Sequence, residues 1–468
     1  MNSLLDALLN LLQLWERAFP QQRTFGRAMR LALAQVLVPG SRNLSRIIAA
    51  SGNLNDDWSA DYRIFSRSPW KQNDLFSPII KEALGYFDKR NHITLAGDFT
   101  HLPKTGTHIP NVHCMRDPMS PPFNVNLIYG LRFMHYTMVL PLYEEHQPPD
   151  SRPTPPRSIP IRFEEAPAPK KPGRKATPEE RAQYKAVCAT HPASQKALDV
   201  LIELRKEFDA LGVAQKDLVV ALDGSFCNRV FFRAVIDRVE LVARCRKDAV
   251  LCFRAPLGGR RFYGEEKITP EVVRADESRP YSKARLFHGG DWREMRYKEI
   301  PQVFWAHGAK RRPLRLIVLA PTPYHNSPKG KRFYRQPAYL LTTDLQRPAH
   351  EIIQCYLDRW QIEVNHRDQK THFGVGDAQV RNPKSVPRQP AFVVCVYAAI
   401  LLAAQRAYGS GRGAQYIPLP KWRRKSSRPS CLDIVNQLRR EMEEHPEKLV
   451  GFRNRTGVTA NATFHSAA

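Results

Sequence analysis

The sequence of 468 residues predicts an α/β fold: a core of strands and helices, interrupted by a β-rich insertion and preceded by an all-helical segment. Three observations predict it. Apolar residues recur at helical spacing up to residue 88, the texture turns to strand at His92, and two short apolar runs each end in an aspartate. The boundaries that follow are 1–88 for the helical segment, 89–246 for the first part of the core, 247–340 for the insertion, 341–408 for the second part of the core, and 409–468 for a basic tail with one helix.

In the first segment Leu4, Leu5, Leu8, Leu11 and Leu12 share one helical face, and a second helical run covers 24–36. After Pro39-Gly40, Leu44, Ile47 and Ile48 line one short helix. Trp58, Tyr62 and Phe65 line the next, leaving Arg63 and Arg67 on another side. Two short helices with arginines on the second fit a helix-turn-helix reader of DNA, in which Arg63 and Arg67 touch the duplex. A plain helical bundle with solubilising arginines fits the same pattern.

The core opens with a strand at 92–100 that carries Asp98 near its end, and strands at 124–133 and 136–143 are close enough to form a meander. Ten of the 33 residues in 146–178 are proline, and the stretch ends in the basic run 170–175. It reads as an extended loop or tether, with a basic end that suits a phosphate backbone or a solvated linker equally. A long amphipathic helix at 194–211 ends at Gly212. Then Asp217-Leu-Val-Val-Ala-Leu-Asp223 makes a second buried strand tipped with an acid. Each aspartate taken alone is an ordinary turn former; ligand sites of open α/β sheets gather at such carboxyl ends.

Near the C-terminal third, Tyr356, Arg359, Glu363 and Lys370 fall within about 60° of one another on a helix at 100° per residue. A carboxylate beside two cations and a phenol suits phosphate and divalent metal. Arginine and glutamate four residues apart also make an ordinary surface ion pair. The order of elements gives the row more weight. Three strands, a helix, an acid-tipped strand and a helix carrying a glutamate follow the ribonuclease-H-like order, where three carboxylates meet at one edge of the sheet. Such acids hold two divalent ions for in-line displacement at a phosphodiester, with Mg2+ or Mn2+ the natural choice for oxygen ligands.

Composition points to the same partner. Against 45 Asp and Glu stand 72 Lys and Arg, a formal net charge of +27, which makes nucleic acid the default partner through counterion release. The basic residues are spread along the chain, unlike a membrane-surface helix. The longest apolar run, 391–404, is too short to cross a bilayer and follows Pro390, which suits a first helical turn. Neither a signal peptide nor a zinc spacing is apparent, and the eight cysteines read as reduced thiols of a cytoplasmic, nucleoid-associated protein. In the tail, Lys421-Trp-Arg-Arg-Lys425 and Arg428 form a basic knot that suits DNA, a dimer contact or, most simply, a solvated face.

The run Tyr356-Leu-Asp-Arg359-Trp-Gln-Ile-Glu363-Val-Asn-His-Arg-Asp-Gln-Lys370 resembles the Y-x2-R-x3-E-x6-K signature of bacterial insertion-sequence transposases of the DDE superfamily. Asp98-Phe-Thr100 with Lys104-Thr-Gly106 is similar to their first acidic block, and Asp223-Gly-Ser-Phe226 to the second. The resemblance covers about residues 90–405. It implies that Asp98, Asp223 and Glu363 are catalytic and hold two Mg2+ or Mn2+ ions, and that Tyr356, Arg359 and Lys370 position DNA phosphates. The implied reaction is metal-dependent cleavage at terminal inverted repeats and 3′-hydroxyl strand transfer into target DNA by a homodimer. Asp223 and Glu363 are 140 residues apart, and the interval then houses the β-rich insertion, where Trp292 and Trp305 are candidates to stack on a flipped base. A nuclease of the same fold without strand transfer and an inactive DNA-binding relic are the competing readings.

Overall fold

A computed structural model describes residues 3–52, 57–117, 120–121, 123–144, 153–169, 171–190, 193–256, 258–325, 330–422 and 427–452. Five helices come first: α1 (Leu4–Gln13), α2 (Gln22–Leu37), α3 (Leu44–Ala50), α4 (Trp58–Ser66) and α5 (Gln72–Leu84). The core then runs β1 (His92–Pro103), β2 (His113–Arg116), β3 (Leu127–Leu140), β4 (Arg157–Glu165), α6 (Pro178–Thr190), α7 (Ala193–Ala210), β5 (Asp217–Leu222), α8 (Arg229–Arg233) and β6 (Val239–Arg244). Then follow β7 (Leu251–Arg254), β8 (Tyr263–Ile268), α9 (Pro270–Ala275), β9 (Ser282–His288), β10 (Asp291–Phe304), α10 (Ala306–Ala309), β11 (Pro313–Leu319), β12 (Pro323–His325), β13 (Arg332–Tyr334) and β14 (Ala338–Thr342). Last come α11 (Ala349–Asp358), α12 (Gln361–Phe373), α13 (Ser385–Tyr408) and α14 (Cys431–Glu444).

The large sheet contains the order β4-β3-β1-β5-β6, with β3 antiparallel to β1, and β1, β5 and β6 parallel. This mixed order, with helices on both faces and a helical N-terminal region, is compatible with the ribonuclease-H-like fold expected from the sequence. The strands reach it differently. Residues 124–133 and 136–143 do not form two strands, because Leu127–Leu140 runs unbroken as β3. No turn residue stands at Met134-His135 to reverse the chain, and both faces of the strand are buried.

The missing strand lies inside the Pro-rich stretch 146–178. Arg157–Glu165 forms β4, mostly buried and paired to β3 along its length. Its proline is tolerated because β4 pairs only with β3 and Pro160 sits at a register shift, so its missing N–H breaks no ladder on the outer side. Composition hid this strand. The residues 145–152 and Lys170, at the start of the stretch and in its basic end, lie outside the described residues.

The stretch expected as a β-rich insertion extends the same sheet: β14 pairs with β6, and the sheet continues through β11, β10, β7 and β8. The N-terminal helices share the core as well. Leu4, Leu8, Trp15 and Phe76 belong to one buried cluster with Phe392, Val396 and Leu438 of α13 and α14. Trp15 packs 5.6 Å from Phe392, and the Leu5 amide donates to Glu441 at 2.7 Å. Each large apolar side chain so buried contributes about 1.5–3 kcal/mol.

Helix α4 turns a different face inward from the one its apolar spacing suggests. Ala60, Asp61, Ile64 and Phe65 are buried, and Trp58 stays 53% exposed. A buried ion pair between Asp61 and Arg30 at 2.6 Å sets this rotation, which a pattern of apolar residues does not report. Helix α13 is long and apolar enough to cross a membrane but is buried in the core. It starts at Ser385, so Pro390 lies past its first turn.

Candidate active site

Strand alternation places the acids. In β5, Leu218, Val220 and Leu222 face the cluster shared with the N-terminal helices, while Val219 and Ala221 face the cluster beneath α11. Asp223 continues the second series. In β1, Thr94 contacts Cys355 of α11 and Ala96 packs on Ile362 of α12, so Asp98 points to that same side. The parallel register ends at Gly97 opposite Leu222, so the two aspartates follow side by side at the carboxyl ends of neighbouring strands. Phe99 stacks on Phe226 with centroids 5.0 Å apart, which fixes the turn after Asp223 against β1.

Close packing dictates Gly97. A Cβ there would lie 2.6 Å from the Tyr136 ring and 2.8 Å from Leu222 Cδ2. The next block is fixed from the other side. Buried Lys104 donates to the carbonyls of Gly376 at 2.6 Å and Ala378 at 2.7 Å, tying the end of β1 to the segment after α12.

Glu363 stands in the first turn of α12, facing Asp98. The four-residue row is carried by two helices and not by one: α11 ends at Asp358, and Arg359-Trp360 form a break before α12. Both residues keep right-handed helical angles, so the row survives the break. Arg359 Nη1 lies 3.5 Å from Asp98 Oδ2 and 3.5 Å from Glu363 Oε1. Tyr356 is close enough to Arg359 and Asp223 for both to act on its hydroxyl, and Lys370 interacts with Glu363 and Asp98.

The electrostatics are those of crowded acids. Burial, with Glu363 and Asp223 adding repulsion, pushes Asp98 up to about 7 against the opposing pull of Arg359. Burial likewise lowers Lys370, a drop that Glu363, Asp117 and Asp98 counter. One ligand atom each from Asp98, Glu363 and His366 lies within 4.8 Å of the others. Two carboxylates and an imidazole converging on a point that already attracts a guanidinium form a donor set suited to a divalent cation.

The family model described as DDE superfamily endonuclease matches residues 17–312, more than half of the chain. The chain belongs to that family. No curated protein matches it. The family is one of metal-dependent nucleases that act on DNA, which agrees with the three acids and the basic composition. The match includes Asp98 and Asp223 and stops before Glu363, which Arg359 links to Asp98.

The remaining candidates of this DDE endonuclease lie apart from the acids. Trp292 packs 5.5 Å from Tyr143 and 5.8 Å from Phe287, beside a cleft also lined by Arg90 and Arg285. Trp305 packs on Phe232 and over Gly308, where a Cβ would meet the indole at 2.1 Å. Arg63 pairs with Asp57 at 2.8 Å, and Arg67 closes α4. In the tail Arg428 donates inward to the carbonyls of Pro155 and Pro156, while residues 423–425 of the basic knot lie outside the described residues.

Four further residues border the site beyond those its motifs mark. Trp360, in the helix break, is 63% exposed next to Arg359. Arg244, at the end of β6, acts on Tyr356. His366 lies one turn beyond Glu363, and His135 faces it. The spacing of Glu363 and His366 at i,i+3 put both on one helix face and was the available signal. His135 left none, because its partner is 231 residues away.

Proposed function

We propose that this DDE endonuclease is a bacterial transposase that cuts at the terminal inverted repeats of its element and joins the freed 3′ ends to target DNA. The observation that carries this reading is the joining of Asp98 and Glu363 by Arg359, with Asp223 beside them and Tyr356 and Lys370 flanking. A divalent ion, Mg2+ or Mn2+ and two in number in this reading, activates the attacking oxygen and stabilises the leaving one when bound.

The chain's own groups do the rest. Asp98, Asp223 and Glu363 supply the carboxylates. Arg359 holds two of them together and, with Tyr356 and Lys370, donates to phosphate oxygens of the cleaved end. Trp360 offers an exposed ring on which an unpaired base can stack, and the net charge of +27 draws DNA to the surface. Arg63 and Arg67 add contacts to the duplex, Trp292 and Trp305 remain candidates for base stacking, and a homodimer pairs two ends.

The test uses pre-cut terminal-repeat DNA with a free 3′ hydroxyl and a plasmid target. Joined product that requires a divalent ion and Glu363 supports transposition; cleavage of uncut repeats without any joining would make the protein a nuclease only.

A further inference from the structure

The carboxylate site has a nitrogen neighbour that the acids alone do not require. Asp98 of β1 and His135 of β3 are register partners, so the sheet itself sets this imidazole beside the acid. His135 is fully buried. Its Nδ1 lies 3.0 Å from Nε2 of His366, and its Nε2 is buried without a hydrogen-bond partner. His366 in turn stands on α12 one turn after Glu363 and contributes one of the three converging ligand atoms.

Two imidazole nitrogens at 3.0 Å must be one N–H and one lone pair. When Nε2–H of His366 donates to Nδ1 of His135, His366 keeps a lone pair on Nδ1, the form in which imidazole binds a metal. The same arrangement leaves His135 Nε2–H buried and unpaired, at a cost of about 1–3 kcal/mol that packing alone gives no reason to retain.

We infer that His366 is a direct metal ligand beside Asp98 and Glu363, positioned by His135, and that this mixed oxygen and nitrogen set favours Mn2+ over Mg2+. The inference rests on reading the carboxylates as a metal site. Mg2+ holds to oxygen ligands and water, whereas affinity for imidazole rises along the first-row transition ions. Asn365 keeps α12 in place for this role: it donates to the Ser158 carbonyl at 3.1 Å and accepts from the Tyr397 hydroxyl at 2.9 Å.

The experiment is pulsed electron paramagnetic resonance of Mn2+ bound to the full chain, unlabelled and labelled with nitrogen-15 histidine. The expected result is directly coordinated nitrogen whose signal changes isotope with the label and disappears in His366→Gln, with Mn2+ affinity down about 10–100-fold and Mg2+ affinity little changed. His135→Asn, which keeps an acceptor near the Nδ1 position, retains the coupling; His135→Leu weakens Mn2+ binding and leaves Mg2+ binding unmoved. Mn2+ that is removed by Asp98→Asn but shows no nitrogen coupling in the wild-type protein would overturn the inference. Absence of any Mn2+ binding sensitive to Asp98→Asn would overturn the carboxylate reading as well. Neither outcome depends on a histidine variant folding.

Discussion

One guanidinium nitrogen of Arg359 stands 3.5 Å from an oxygen of Asp98 and 3.5 Å from an oxygen of Glu363, acids 265 residues apart in the chain. Arg359 therefore reports on the site and helps to build it. Among the influences on Asp98 it is the one that opposes protonation most, against burial and the two neighbouring carboxylates.

Removing that charge shifts the pH dependence in a defined direction. Without a bound ion Asp98 holds its proton up to about 7, so a divalent cation must displace that proton and its binding tightens as pH rises through that value. In Arg359→Ala the acidic limb of the metal-binding profile moves to higher pH, and Arg359→Lys returns part of the shift. The check is titration of the DNA-free protein with Mg2+ or Mn2+ between pH 5.5 and 9, and an unmoved limb would separate Arg359 from Asp98.

A second buried acid governs stability. Asp358, which accepts from Tyr143 at 2.9 Å and from Gln354 at 2.8 Å, is pushed up to about 7 by burial. A carboxyl with a raised folded-state pKa binds more protons folded than unfolded, so its contribution is full below about pH 4 and is lost as pH rises through about 7. Over that window the loss is at most on the order of 4 kcal/mol. Urea unfolding at pH 5 and pH 8 is expected to show a smaller drop in Asp358→Asn than in the wild-type protein; equal drops would place the titration elsewhere.

Gly97→Ala tests the packing beneath the first acid. Its methyl would enter the Tyr136 ring and Leu222, forcing β1 to move, so a loss of about 1–3 kcal/mol is expected together with reduced cleavage. Thermal unfolding and a cleavage assay measure the two parts, and a variant with unchanged stability would show that the strand yields freely.

Trp360 separates contact from support. Because its ring is 63% exposed, Trp360→Ala is expected to change stability by less than about 0.5 kcal/mol, while losing about 1–3 kcal/mol of affinity for DNA with an unpaired terminal base. Fully duplex DNA should lose less. Equal losses on the two substrates would argue against stacking.

The acids were legible because each left a local trace: Asp98 and Asp223 end apolar strands, and Glu363 lies in a spaced row of ionic side chains. Strand β4 was not legible, because prolines compatible with an edge strand look like those of a loop. The rotation of α4 was hidden by a buried Arg30–Asp61 pair, and the unbroken β3 by apolar residues that alternate poorly. His135 belongs to the site only through sheet register with Asp98, which no single segment encodes.

Asp98, Asp223 and Glu363, read as one metal-dependent cleavage site on a DNA-binding surface, must be separable from DNA binding itself. The most direct test compares wild-type protein and Glu363→Gln on terminal-repeat DNA, following binding and strand cleavage with Mg2+ or Mn2+ on the same samples. The expected result is DNA binding within about threefold of wild type and cleavage lowered by at least about 1,000-fold. Cleavage by Glu363→Gln at the wild-type rate would contradict it.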